Sequence, residues 1–341
     1  MKGKILGKKV KIGGSVKLGA NTVIRGNEIN IEDGVSIGKG TLISAKKIQI
    51  GFRATIEDNC KILKLSGEMS EFSIGDNSFI GHDSKIAVPI FKTGDYVSLN
   101  NHLFANGAKP CVIGHNVWIG QNCILNSRDD LTIGNGVGIG TYSCVWTHGA
   151  HGELSEGCRI FKVAPVTIED DVWIVGSFNV VSPGVKLGKK SVILTGSVVT
   201  KNVAPLSCVA GNPARDITDK LRPYRKISID EKYEMMKKFM KEFACSRNAT
   251  KTHDGWRMAH GKETYEIAFM EETDNRSIQE DMLKIIFTKR NSATISLSKT
   301  TIFDLEGKTY TKRRTDAEIE VIKYLLYAKA RFCPMDPNIS S

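Results

Sequence analysis

Through most of the first 215 residues an aliphatic side chain returns every six positions, and that period excludes most folds at once. Ile133-Gly134 is followed by Ile139-Gly140, and Ile168-Glu169 by Ile174-Val175. Longer units keep the same beat: IGGSVKLGANTV from Ile12, IEDGVSIGKGTL from Ile31, IGDNSFIGHDSKI from Ile74, IGHNVWIGQNCI from Ile113 and IGNGVGIGTYSCV from Ile133. An amphipathic helix needs apolar spacings of three and four with few glycines, and an antiparallel sandwich needs longer strands with hairpin signals between them. The sequence offers neither. A chain that turns a corner every six residues satisfies the period, because three short strands and three corners close one triangular coil of about 18 residues. Stacked coils bury their aliphatic positions in a continuous column and pair their strands in parallel. Gly, Asn and Asp beside the aliphatic position suit corners that need a positive φ.

The beat weakens in LKLSGEMSEF (Leu65–Phe72) and in Val88–Cys111, which read as imperfect coils or short excursions. It stops altogether in WTHGAHGELSEGCRIFKVAPVTIEDDVW (Trp146–Trp173), which carries His148, His151 and Glu153 and re-enters the repeat after Pro165. A smooth coil offers no chemistry, so a segment that leaves it is where reactive groups are expected.

The chain has 341 residues, enough for two domains, and its 41% hydrophobic content is ordinary for a soluble protein. No apolar run approaches the roughly 18–20 residues of a membrane span, and the opening MKGKILGKKVKIGG has no signal-peptide pattern. A cytoplasmic protein is expected. The eight cysteines form no CxxC pair and no zinc-ligand spacing, which favours free buried thiols. The net charge of +11 divides into +5 over residues 217–341 (24 Lys+Arg, 19 Asp+Glu) and +6 over the rest (24 and 18). That balance suits an anionic cofactor, an anionic substrate or a membrane surface, and no aromatic-interleaved basic motif points to nucleic acid.

The repeat resembles that of the hexapeptide-repeat acyltransferases over roughly residues 5–215. IEDDVWIVGSFNVVSPGVKLGKKSVILTGSVVTKNVAPLSCVAGNPAR (Ile168–Arg215) is similar to the terminal signature of the galactoside, maltose and polysaccharide O-acetyltransferase group. It departs from that signature at Ile174-Val175-Gly176-Ser177, where the family has Ile-Gly-Ala-Gly. The resemblance implies a mainly β protein, a left-handed parallel β-helix over 1–216 with a projecting catalytic loop. The hand comes from the resemblance, since the general rule for parallel crossovers is right-handed.

The resemblance also assigns roles. THGAHGEL with its return APVTI implies His148 as general base, with His151 as the fallback. Acetyl transfer from a thioester to an alcohol needs such a base, and imidazole is the commonest one near neutral pH. Asn126, Asp129 and Asp130, one coil earlier, are expected to hold the hydroxyls of a saccharide acceptor. Acetyl-CoA, the acyl donor, is expected along Gly176, Ser177, Thr195, Gly196 and Thr200, with Lys201 and Arg215 facing its phosphates. Trp118 and Trp173 read as packing residues or a subunit contact. The family implies a homotrimer with its sites between subunits, no metal, and an acceptor from a bacterial capsule or lipopolysaccharide. Peripheral association with a membrane-linked glycan fits that acceptor. Amino-sugar N-acetylation and a non-catalytic trimeric scaffold stay open. A zinc enzyme of the γ-carbonic-anhydrase kind would need two histidines five apart, and none of the seven is so spaced.

Residues 217–341 read as a small α+β domain: a helix over Thr218–Ala244, strands around Tyr265, Leu283 and Ala293, and a final helix over Asp316–Phe332.

Overall fold

The computed structural model describes residues 2–64, 66–261, 263–272, 282–291, 298–326 and 328–335, in two compact units, Met1–Tyr224 and Arg225–Ser341. The first unit is the parallel β-helix that the six-residue period predicts. Strand register stacks the aliphatic positions into three columns. One runs Leu18, Ile37, Ile56, Ile80, Leu99, Ile119, Ile139, Ile174, Ile193, Val209. Another runs Ile5, Ile24, Ile43, Ile62, Ile86, Ala105, Leu125, Val145, Val181, Val199. From Ile24 onward the second column is at most 1% exposed. Burial on this scale, at about 25 cal/mol per Å² of apolar surface, is what holds a fold with so few long strands.

Val88–Cys111 is a regular coil: Phe91 pairs with Cys111 and Lys92 with Val112. The other irregular stretch is an excursion, and pairing resumes with Ile48 opposite Phe72. At the corner that follows the first column, Asn122, Tyr142 and Phe178 all have φ between 56° and 61°, and Tyr142 and Phe178 stack at 5.3 Å. Gly140 cannot carry a side chain, because a Cβ there would meet the carbonyl oxygen of Gly176 at 1.6 Å. Trp118 and Trp173 are not core packing: they stand 47% and 54% exposed on one outer face, on either side of Gly138.

The break in the beat is a hairpin. His148–Ala150 pairs antiparallel with Phe161–Val163, and Ala164 N donates to Thr147 O at 3.0 Å to close its base. The coil seals beneath it, since Cys144–Val145 pairs directly with Val180–Val181.

The first unit extends to Tyr224 because helix α1 (Thr218–Leu221) ties back to the coil: Cys208 N donates to Thr218 Oγ1 at 2.9 Å. The single helix expected over Thr218–Ala244 is therefore two. Arg222 is in the left-handed region at φ 43° and Pro223 follows it, which ends the first turn. Helix α2 (Ile229–Ser246) starts afresh from a capping box between Ser228 and Glu231.

In the second unit, strands Gly255–His260, Glu263–Glu272, Leu283–Arg290 and Thr300–Asp304 form the body of a mixed sheet. Phe269, Phe287, Phe303 and Tyr310 stack across its strands at 4.8–5.5 Å. The strand at Gly255–His260 had no periodic signal strong enough to predict it, and the strand expected from Ala293 falls partly on 292–297, outside the described residues. Helix α3 (Asp316–Leu326) carries Glu318, 1% exposed, whose carboxylate accepts from Thr301 Oγ1 (2.7 Å), Arg313 N (2.7 Å) and Arg314 N (3.1 Å). Burial pushes its pKa up. Glu318→Ala orphans those donors and is expected to destabilise this unit by about 2–4 kcal/mol, read as an earlier unfolding transition in denaturant.

Candidate active site

Register brings the candidate base and its neighbours to one corner. Leu125 pairs with Val145, Val145 with Val181, and Val181 with Val199. The residues that leave these strands therefore stack as Asn126-Ser127, Trp146-Thr147-His148, Ser182-Pro183 and Thr200-Lys201. Within this stack His148 Nδ1 lies 2.8 Å from Asn126 Oδ1. Three further contacts settle which atom of the Asn126 amide is which. Arg128 N–H, a donor only, points at Oδ1 at 3.2 Å, while Nδ2 donates to the Asn106 carbonyl, an acceptor only, and to Asn106 Oδ1, both at 3.3 Å. Oδ1 must accept, so His148 Nδ1 must carry a proton, and in the neutral imidazole the lone pair is then on Nε2. Thr147 Oγ1 locks the same corner by accepting from Asp129 N at 3.0 Å and bonding the Asn126 carbonyl at 3.1 Å. The indole of Trp146 meets the imidazole edge-on at 5.8 Å. His148 itself is half-buried, whereas the hairpin beyond it is exposed.

This geometry bears on the role expected of Asn126. Asn126 is 3% exposed and both ends of its amide are engaged, which leaves no face for a sugar hydroxyl. Its Oδ1 faces the imidazole. Asp129 and Asp130 are more accessible; Asp129 Oδ1 accepts from Asp130 N at 2.8 Å, and both carboxylates flank the corner. His151 is exposed at the outer end of the hairpin, outside this network. Thr147 and Asn106 belong to the site and were not singled out in the sequence. A polar residue paired one coil away from the base was the available signal.

The candidate cofactor residues divide between two edges. Gly176, Ser177, Thr195 and Gly196 lie at the corner that precedes this strand column. Ser177 Oγ and Thr141 Oγ1 are 2.7 Å apart, Thr195 Oγ1 donates to Val175 O at 3.3 Å, and Gly196 N donates to Ser177 O at 3.0 Å. Gly176 has φ 70°, and a Cβ there would approach Thr195 Oγ1 to 2.0 Å, so the local departure from the family signature still demands glycine. Thr200 and Lys201 are exposed at the corner of His148. Five residues separate Gly196 from Lys201, about 16 Å of extended chain. Arg215 is exposed on the short strand Arg215–Asp216, which pairs antiparallel with the end of the coil.

The cysteines offer no rival nucleophile at this site. All eight are free, and burial pushes the Cys111 thiol up to about 12 and those of Cys60 and Cys123 to about 11. The corner thus presents one oriented imidazole on a rigid frame, with carboxylates beside it and a cation about two coils along.

A family profile described as "Hexapeptide repeat of succinyl-transferase" matches residues 165–201. The galactoside O-acetyltransferase of Escherichia coli (strain K12) is 30% identical over 141 residues, which cover 41% of this chain and 63% of that protein. The galactoside O-acetyltransferase of Lactococcus lactis subsp. lactis (strain IL1403) is 32% identical over 149 residues, 40% of this chain and 70% of that protein. Among solved structures, a hexapeptide-repeat acetyltransferase from Vibrio cholerae O1 biovar eltor, complexed with acetyl coenzyme A, is similar at 22% identity. That match covers 50% of this chain and 69% of the other, with a TM-score of 0.25. The chain spans just under two thirds of the length of the Escherichia coli relative.

Proposed function

Because the chain belongs to the hexapeptide-repeat acetyltransferases, in the group of the galactoside O-acetyltransferases, we propose that it transfers an acetyl group from acetyl-CoA to a hydroxyl of a saccharide. His148 Nε2 takes the hydroxyl proton as the oxygen attacks the thioester carbonyl. The carbon–sulfur bond then breaks, and the proton held by His148 goes to the departing thiolate. No acyl-enzyme and no metal take part. The observation that carries this reading is the bond from His148 Nδ1 to Asn126 Oδ1, which leaves Nε2 basic and fixed in direction. Asp129 and Asp130 are the groups offered to acceptor hydroxyls, and Lys201 the group offered to a phosphate of the donor.

A homotrimer with its sites between subunits is part of the proposal. What supports it is the division of the candidate donor-binding residues over two edges of one chain. A second copy that set the Gly176–Ser177 and Thr195–Gly196 corner against the His148 corner would gather them into one groove. Exposed Trp118 and Trp173 supply apolar area for such a contact. The acceptor we infer is a unit of a bacterial capsule or lipopolysaccharide, met in the cytoplasm at the inner face of the membrane. Seven Lys and Arg precede the first acid, Glu28, and Leu6, Val10 and Ile12 are exposed among them, which suits an anionic surface. Among the described residues no helix is long and apolar enough to cross a membrane. Amino-sugar N-acetylation would use the same base and differ in the acceptor alone.

Thiol release from acetyl-CoA, measured across neutral sugars, amino sugars and capsule polymers, tests the reading. Release with an alcohol acceptor is the expected result; release with amino sugars alone would replace O- by N-transfer, and failure to bind acetyl-CoA would leave the scaffold. Lys201→Ala is expected to raise the KM for acetyl-CoA by about tenfold with little change in kcat, the pattern of lost uniform binding. A KM change confined to the sugar would contradict the placement of Lys201.

A further inference from the structure

A second set of chemically capable side chains lies nearer the start of the coil, on the edge that also carries Gly176 and Ser177. Ile80 pairs with Leu99, so the corners that follow, His82-Asp83 and Asn101-His102, stack on neighbouring coils. Their backbones are pinned: His102 N donates to His82 O at 3.0 Å, Asp83 N to Asp58 O at 3.0 Å, and His82 N to Glu57 Oε2 at 3.0 Å. Asp83 and His102 have φ of 56° and 60°, the corner conformation of the fold. His82 Nδ1 lies 2.8 Å from Asp83 Oδ2, and the two imidazoles meet edge-to-face with centroids 5.0 Å apart. One ligand atom from each of His82, Asp83 and His102 lies within 4.8 Å of the other two.

We propose that His82, Asp83 and His102 form a binding site for a divalent transition metal of the zinc class, bridging two coils. Two imidazoles and one carboxylate are the donor set that zinc, cobalt, nickel and copper accept, whereas calcium and magnesium want oxygen alone. At metal–ligand distances of 2.0–2.1 Å, tetrahedral ligand atoms stand about 3.4 Å apart. Side-chain rotation closes the remaining gap, because the backbones are already fixed by the coil ladder. The three groups are half-buried to exposed, so an ion enters without any opening of the fold, and three protein ligands leave a position for water. The histidines are twenty residues apart, one coil, which is why a search for close spacing along the sequence passes over them.

The test is a titration of the full chain, stripped with chelator, with Zn2+ by calorimetry and with Co2+ by visible absorption. One equivalent of tight binding, cobalt bands of a mixed nitrogen–oxygen site and a rise in Tm with zinc are expected. His102→Asn and Asp83→Asn are the chosen variants, because asparagine tolerates the positive φ and keeps the corner intact. Each is expected to lower affinity at least tenfold, and His82→Ala likewise, while His253→Ala, at an exposed imidazole of the second unit, leaves it unchanged. Equal zinc affinity in wild type and His102→Asn would overturn the proposal, as would the absence of saturable binding in the wild type. Neither result bears on His148, so this inference fails or stands apart from the acyltransferase reading.

Discussion

Replacing His148 with alanine is expected to lower kcat for acetyl transfer by about 10²–10⁴-fold, the usual contribution of a positioned general base. The effect falls on kcat because the imidazole is used in the transition state and not in holding either substrate. The fold should survive, since the hairpin that starts at His148 leaves the coil sealed beneath it: Cys144–Val145 still pairs with Val180–Val181. Circular dichroism and Tm close to wild type would show as much. Steady-state thiol release with the best acceptor is the measurement. Activity within threefold of wild type would remove His148 from the mechanism, and with it the meaning of the Asn126 contact. His151→Ala, out at the end of the hairpin, is expected to change kcat far less.

Asn126→Leu is expected to lower kcat by about 10²-fold, because an unheld imidazole loses both tautomer and aim, and a misplacement near 1 Å costs roughly that much. The KM for the acceptor should barely move. A side chain that bound sugar would give the reverse pattern, a raised acceptor KM with kcat largely kept. Removing the amide also orphans Arg128 N–H, so a second variant guards against misfolding. Asn126→Asp keeps an acceptor opposite His148 Nδ1 and should recover part of kcat. Its added negative charge also stabilises the imidazolium that forms as His148 takes the hydroxyl proton. A kcat in this variant no higher than that of Asn126→Leu would argue against the contact.

The two variants separate what was legible in the sequence from what was not. His148 was visible because it sits where a strict period fails, and a period that fails after Val145 and resumes at Ile168 implies a projection from an otherwise closed coil. Asn126 was visible as a polar residue near the base, but its contact with the imidazole was not. Whether an amide faces outward to solvent or inward to its neighbour depends on which side of the strand it occupies after a corner, and one residue of register reverses that. The same limit applies to Trp118 and Trp173, read as packing residues or a subunit contact and found on an outer face. The helix expected to run unbroken over Thr218–Ala244 is interrupted at Pro223, a signal present in the sequence and outweighed in the reading by the apolar spacing after it.

By itself the sequence determined the coil, because an aliphatic residue every six positions has one economical burial solution, and it determined which segment leaves the coil. It also bounded the chemistry to what an imidazole at such a projection can do. Only the tertiary structure decided which residues meet. His148 and Asn126 are 22 residues apart and His82 and His102 are 20 apart, and in both pairs the contact is made by stacking one coil on the next. That stacking depends on the exact length of each turn, on insertions such as the one at 146–164, and on backbone hydrogen bonds between coils. These are sums over the whole column, and no local stretch of sequence contains them.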